Sequence, residues 1–350
     1  MLLPFRLSRP STALALSTLL LAASANATAA ERVRVAVPWT TGQSVAYDDE
    51  ATHRENGEDD GASLRRITDE TRIRVDAAGR DGYALTWTTH DSRVEAIDGD
   101  RSLSDLLAPV LDALDDLPVT IELDGDGRYR RVRDLDALTD RVRKVMLPAF
   151  LANLDRSLGV DAGGNGKVDK GERDGMLAAA RRDLESNMEN IVSRDSVEAG
   201  TVSQMRLLSA FVGKTLVAGK SYRDAEPILS PVEGRPLPGV REYTLEIDRD
   251  DPGLARLRWT HRFDATANAK TQWALAQELG ARAVTDGLPQ DMVLTQTGTL
   301  VFRRDTGLVE LLEVEDRSKL GRVHDEEQRH RMRLRGIGRT WAQEEAARRR

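Results

Sequence analysis

Two hydrophobic periods divide the chain. Over residues 71–75, Ile73 and Val75 alternate with Arg72 and Arg74, and over 82–90 Tyr83, Leu85 and Trp87 share one side of an extended run. Successive side chains of a strand point to opposite faces, so a period of two predicts antiparallel strands with one face buried. The same period returns at Tyr243, Leu245 and Ile247, then at Ala255, Leu257 and Trp259. It recurs at Leu300 and Phe302 before a turn at 304–307, and at Leu312 and Val314 beyond it. Over 330–334, Arg331 and Arg333 alternate with Met332 and Leu334. Residues 32–37 and 43–47 also read as extended. The polar stretch 53–61 reads as a loop from its Gly, Asp and Asn content, and 76–82 as a hairpin connection of the longer kind.

Between the strands the period lengthens to that of helices. Leu103, Leu106, Leu107, Val110, Leu111, Leu114 and Leu117 have helical spacing, with Pro109 inside it. Residues 118–132 return to strands around a turn at 124–127. From Leu135 the apolar positions run through Leu138, Val142, Val145 and Met146, past Pro148, to Phe150, Leu151, Leu154 and Leu158. Met176, Leu177, Leu184, Met188 and Ile191 form a second series, and Val202, Met205, Leu208 and Phe211 a third. Three helices are predicted. Four prolines at 227, 231, 236 and 238 then predict an irregular linker.

The strand-rich stretches on either side repeat one layout. Each has alternating strands of which the second ends in Trp-Thr, at 87–88 and 259–260. A helical segment follows, at 103–117 and 271–285, and then a hairpin, at 119–132 and 292–314. The fold class expected is α+β, with duplicated antiparallel β-meanders forming half-barrel-like sheets around a central helical block. The divisions are a leader (1–30), an N-terminal β-rich half (31–133), the helical block (134–226), a Pro-rich linker (227–239), a C-terminal β-rich half (240–338) and a basic tail (339–350). Tyr83, Leu85, Trp87, Leu257 and Trp259 are expected to be buried. In outline this layout resembles exported half-barrel proteins of the periplasmic lipoprotein-carrier type, in which a curved antiparallel sheet wraps helices and shelters an acyl chain. The resemblance implies an apolar or lipidic ligand.

Composition narrows the setting. Arg6 and Arg9, an apolar run at 13–23 and small residues at 25–29 make a three-part secretory leader, which implies a periplasmic or secreted protein. The apolar run is shorter than the roughly 20 residues that span a bilayer, and no later segment approaches that length. The chain has no Cys, which excludes disulfides, thiolate metal sites and a Cys nucleophile. Its formal charge is −7, and cleavage would remove Arg6 and Arg9, so nucleic acid is not an expected partner.

Candidate chemistry concentrates in one twelve-residue stretch, D-A-G-G-N-G-K-V-D-K-G-E at 161–172. It resembles the calcium loop of the EF-hand family. The resemblance implies ligands from Asp161, Asn165, the Lys167 carbonyl, Asp169 and a bidentate Glu172, with Gly166 at the sharp turn. Gly163 stands where that pattern wants a third side-chain oxygen, so binding is expected to be weak, at about 10⁻⁴–10⁻³ M. The other reading of the stretch is a polar helix connection. The five His at 53, 90, 261, 324 and 330 show no zinc spacing, and there is no G-x-S-x-G and no phosphate loop. The expected function is that of an exported, non-enzymatic binding or envelope protein with a hydrophobic ligand or an envelope protein as partner. A calcium-stabilised structural module and a hydrolase with an unrecognised site are the alternatives.

Overall fold

A computed structural model of the chain describes residues 31–36, 39–57, 61–98, 102–160, 170–229, 236–263, 292–320 and 324–336. The leader at 1–30, the helix expected at 271–285 and the tail at 339–350 lie outside these residues. The protein is α+β, with antiparallel sheet predominating.

The first half supplies β1 (Arg32–Arg34), β2 (Ser44–Gly57), β3 (Gly61–Gly79), β4 (Gly82–Asp98), helix α1 (Ser102–Leu114), β5 (Val119–Leu123) and β6 (Tyr129–Val132). The three predicted helices follow as α2 (Leu135–Val160), α3 (Lys170–Ile191) and α4 (Arg194–Ser209). After them come β7 (Thr215–Val217), β8 (Ser221–Ala225), β9 (Ile228–Leu229), β10 (Pro236–Leu237), β11 (Gly239–Ile247), β12 (Leu254–Phe263), β13 (Met292–Arg303), β14 (Val309–Leu320) and β15 (His324–Leu334).

One eleven-stranded antiparallel sheet dominates, in the order β6-β5-β4-β3-β2-β15-β14-β13-β12-β11-β8. The two strand-rich halves therefore join in a single sheet, at a seam where β2 runs against β15 with Tyr47 opposite Leu334 and Glu55 opposite Glu326. That seam carries the polar stretch from 53 to 57, expected as loop, into the ladder. His53 sits between Gln328 and Arg65 and pairs with Glu326 at 3.3 Å. Neighbours on both sides override loop-like composition, because strand preference follows the surroundings more than the residue. The connection at 76–82 is also tighter than expected. Gly79 stands opposite Gly82, leaving two residues in the turn. Gly82 has φ +135°, and a Cβ there would come within 2.2 Å of the Leu123 carbonyl oxygen, so only glycine fits. The Pro-rich linker contributes a two-residue ladder, Ile228 opposite Leu237.

The sheet curls around α4. Tyr129, on edge strand β6, hydrogen-bonds Glu198 of α4, while Phe211 just beyond α4 packs against Tyr243 of β11 with ring centroids 5.3 Å apart. In a flat sheet those strands, nine spacings apart, would be about 43 Å from each other. Thirteen helical residues span only about 20 Å. The strands must therefore bend toward the helix from both edges.

Helix α4 begins at Ser193, whose side chain accepts from the Ser196 amide as an N-cap. It plugs the concave face with Val202, Met205, Leu208 and Phe211, all buried against Leu85, Leu245, Leu257, Leu300, Leu312 and Met332. Leu85, Trp87, Leu257 and Trp259 are in this core, as expected, and Tyr83 is half-buried at its margin. Burial of four such side chains is worth up to about 6–12 kcal/mol, an upper bound because the unfolded chain already buries part of its apolar surface. No described helix is long and apolar enough to cross a membrane.

Candidate functional site

The inner face of the sheet changes character along the strands. One row of directly opposed residues, Leu245, Leu257, Leu300, Leu312 and Met332, crosses β11 to β15 and is fully buried under α4. Four residues further along the same strands lies a second row on the same face, in which Arg241 faces His261, His261 faces Gln296, Gln296 faces Asp316 and Asp316 faces Gln328. Across the seam this row continues to His53 and Arg65. Seven strands thus place a polar side chain at one level of a concave surface, whose level four residues away is hydrocarbon on β11 to β15 and continues across the seam as Asp49 and Asp69.

Polar groups held near a core must pair with one another. Trp259 donates its indole N–H to Gln296 at 3.3 Å, and Gln296 donates to Asp316 at 3.0 Å. Arg241, 7 % exposed, is ion-paired to Glu226 at 2.9 Å and lies over the Phe211 ring. His261 lies 2.9 Å through Nε2 from the Glu226 carbonyl and 3.4 Å through Nδ1 from Arg241. The first contact needs an N–H on Nε2 and the second a bare Nδ1, which is the neutral tautomer. Burial and the adjacent guanidinium push its pKa down and favour the same state.

Between this belt and α4 lies a cavity of about 540 Å³. Its wall on the helix side is one face of α4 and its end, Ala199, Ser203, Arg206, Leu207 and Ala210. Ile228 and Leu294 add apolar surface, and Arg241, His261, Gln296 and Asp316 form the polar side. A wider depression of about 870 Å³ lies on the outer face. There Arg258 pairs with Glu246 at 3.1 Å, Arg331 with Glu313 at 2.7 Å and Arg329 with Glu315 at 3.3 Å, a solvated ladder of mutually neutralised charges.

A second polar group adjoins the cavity at the seam. Asp49 of β2, 1 % exposed, stands directly opposite Asp69 of β3. His330 of β15 is ion-paired to one Asp49 oxygen at 2.6 Å, and the Gln204 amide of α4 donates to the other at 2.5 Å. Burial and the neighbouring Asp49 carboxylate push Asp69 up to about 7. Burial alone would lower His330, but the contact with Asp49 and the charges of Asp69 and Asp316 outweigh it and leave His330 above its ordinary value. Burial likewise raises Asp316.

Of the residues singled out for calcium, Asp161, Asn165, Lys167 and Asp169 lie outside the described residues, and Glu172 falls in the first turn of α3. Among the described residues no three His, Asp or Glu side chains are placed to hold a metal ion. Asp115 accepts from the amide and hydroxyl of Ser92, and Asp116 contacts His90. His261 and His330 have no metal-ligand spacing in the sequence and were not expected at a site. Their parity was the available signal, since each occupies the core phase of an alternating strand.

No protein-family model matches the chain, and no curated protein matches it. Among solved structures, one of lipid–protein interactions in lipovitellin is similar over 85% of this chain, at 9% identity and a TM-score of 0.41. The match covers 25% of that chain, so this chain spans about a quarter of its length.

Proposed function

We propose that the protein is an exported, non-catalytic binding or envelope protein that holds an amphipathic, lipid-like ligand in the cavity between α4 and the sheet. The observation that carries this reading is the two-sided lining, with Leu207, Ala210, Ile228 and Leu294 offering hydrocarbon and the belt offering hydrogen-bonding groups. Its volume of about 540 Å³ lies within the roughly 300–1,000 Å³ of small-molecule sites. The leader at 1–30 supports export. An uncharged naphthylamine dye should gain fluorescence on the protein and be displaced by a lysophospholipid. Leu207→Glu, which places a charge in the apolar wall, should weaken the dye about tenfold or more. Equal dye binding by wild type and Leu207→Glu sinks the cavity reading.

A second reading, a calcium site at 161–172, is favoured by one observation. The stretch joins two helices that pack together, α2 ending at Val160 and α3 starting at Lys170. With about 10 mM calcium against a Kd near 10⁻⁴ M, binding only to the folded state adds about 2.7 kcal/mol. Glu172→Gln should lose most of the resulting rise in melting temperature. Identical responses of wild type and variant, with magnesium as control, would leave the stretch a plain helix connection.

A further inference from the structure

We propose that the Asp49, Asp69, His330 and Gln204 group is a proton-operated latch that holds the N-terminal half of α4 against the sheet and so sets access to the neighbouring cavity. The latch rests on the geometry at the seam, and its control of access rests on the cavity reading above. Gln204 is the residue through which α4 grips the seam. Its amide nitrogen lies 2.5 Å from Asp49 and 3.1 Å from His330 Nε2, so an amide and an imidazolium meet the two oxygens of one buried carboxylate. Ser203, one residue before it and about 100° round the helix, lines the cavity, as does Ala199 one turn earlier. Any outward movement of residues 194–204 therefore widens the cavity on that side.

The apolar anchor is unevenly spread along the helix. Met205, Leu208 and Phe211 hold the second half, whereas Val202 is the buried apolar residue of the first. Hydrophobic burial keeps the C-terminal half seated whatever the seam does, whereas the first half, beyond Val202 and the half-buried Val197, rests on polar contacts: Gln204 to Asp49, Glu198 to Tyr129 and Arg194 to Asp136. The groups that face His330 come from every neighbouring strand. They are Asp49 of β2, Asp69 of β3 and Asp316 of β14. Glu326 of its own strand acts on Asp316, and Asp115 beyond α1 acts on Asp69. These charges acting on His330 are all acids. With Asp69 protonated, the cationic His330 balances Asp49. As pH rises, Asp69 ionises directly opposite Asp49, and loss of the His330 charge then leaves buried like charges without a cation. Such a pair must separate or admit water, and water reaches it from the side that α4 covers through Gln204.

Amide hydrogen exchange of the full chain tests the latch, compared at about pH 5.5 and about pH 8.5 after correction for intrinsic exchange. Residues 194–204 should open about tenfold or more often at the higher pH, while 205–211 and β12 stay unchanged. Asp69→Asn should remove most of that dependence. His330→Gln should show at low pH the opening that wild type shows at high pH, and it serves if the first variant does not fold. Equal protection of 194–204 at both pH values overturns the latch, as does an Asp69→Asn variant that keeps the full dependence. Uncharged naphthylamine dye binding, measured in parallel, separates the two readings. A pH-dependent α4 with no dye bound leaves the latch and removes the cavity, whereas dye binding with a pH-independent α4 does the reverse.

Discussion

Two levels of the same concave face, four residues apart on each strand, are built for different purposes. At the lower level, Leu245, Leu257, Leu300, Leu312 and Met332 form a closed hydrocarbon floor against α4. At the upper level, Arg241, His261, Gln296, Asp316 and Gln328 occupy the same phase of the same strands and are each paired, Arg241 with Glu226 and His261, Gln296 with Asp316, and Gln328 with Glu326. A face assignment alone cannot distinguish the two levels, since both have inward parity. What separates them is the helix above, which packs on one and leaves about 540 Å³ over the other. Stability alone does not call for a polar belt beside such a core, because replacing mutually paired polar groups by hydrocarbon is often neutral or stabilising.

That contrast can be broken by substitution. Phe211, buried between Tyr243 and Trp259, anchors the lower level, and Phe211→Ala should cost about 3–5 kcal/mol in denaturant unfolding through the cavity it leaves. His261→Ala in the upper level should cost less, about 1–3 kcal/mol, the usual result of depriving one buried hydrogen-bonding neighbour, here Arg241, of its partner. If the His261 substitution costs as much as the Phe211 one, the belt is core and the contrast fails.

A smaller effect sharpens the contrast through pH. Asp69 holds its proton up to about 7 in the folded chain, against an ordinary value of 3.8. The stabilisation from keeping that proton is complete below the ordinary value and is lost as pH rises through about 7. His330, also raised, works in the same direction, its share being lost as pH passes its elevated folded value. Asp69→Asn should therefore be more stable than wild type near pH 8 by on the order of 2 kcal/mol, with the advantage shrinking toward pH 4. Parallel unfolding curves at both pH values would show that Asp69 is hydrated rather than buried.

Much of the fold was legible because period two marks strands and period 3.6 marks helices whatever their partners. Tyr243, Leu245, Leu257 and Trp259 announced β11 and β12, and Val202, Met205, Leu208 and Phe211 announced α4. The stretch around His53 and Arg65 hid its strands, since belt residues are polar on the inward side as well as the outward one. Nor could alternation say that β2 would lie beside β15, because register between strands some 280 residues apart is set by tertiary packing. The cavity was legible only as a general expectation of an apolar ligand. Its polar side comes from cross-strand neighbours that the sequence scatters from Arg241 to Gln328.

The seam also has a history in time. The sixth strand of the eleven, at the middle of the sheet, is β15, the last of the described strands in chain order. Until it arrives, β2 and β14 both present unpaired edges, and each growing sheet can recruit the wrong neighbour. Sheet closure then requires pairing across nearly the whole length of the chain, a non-local step that makes folding slow and aggregation competitive. For this molecule the most vulnerable interval is the one before residues 324–334 slot between two finished meanders.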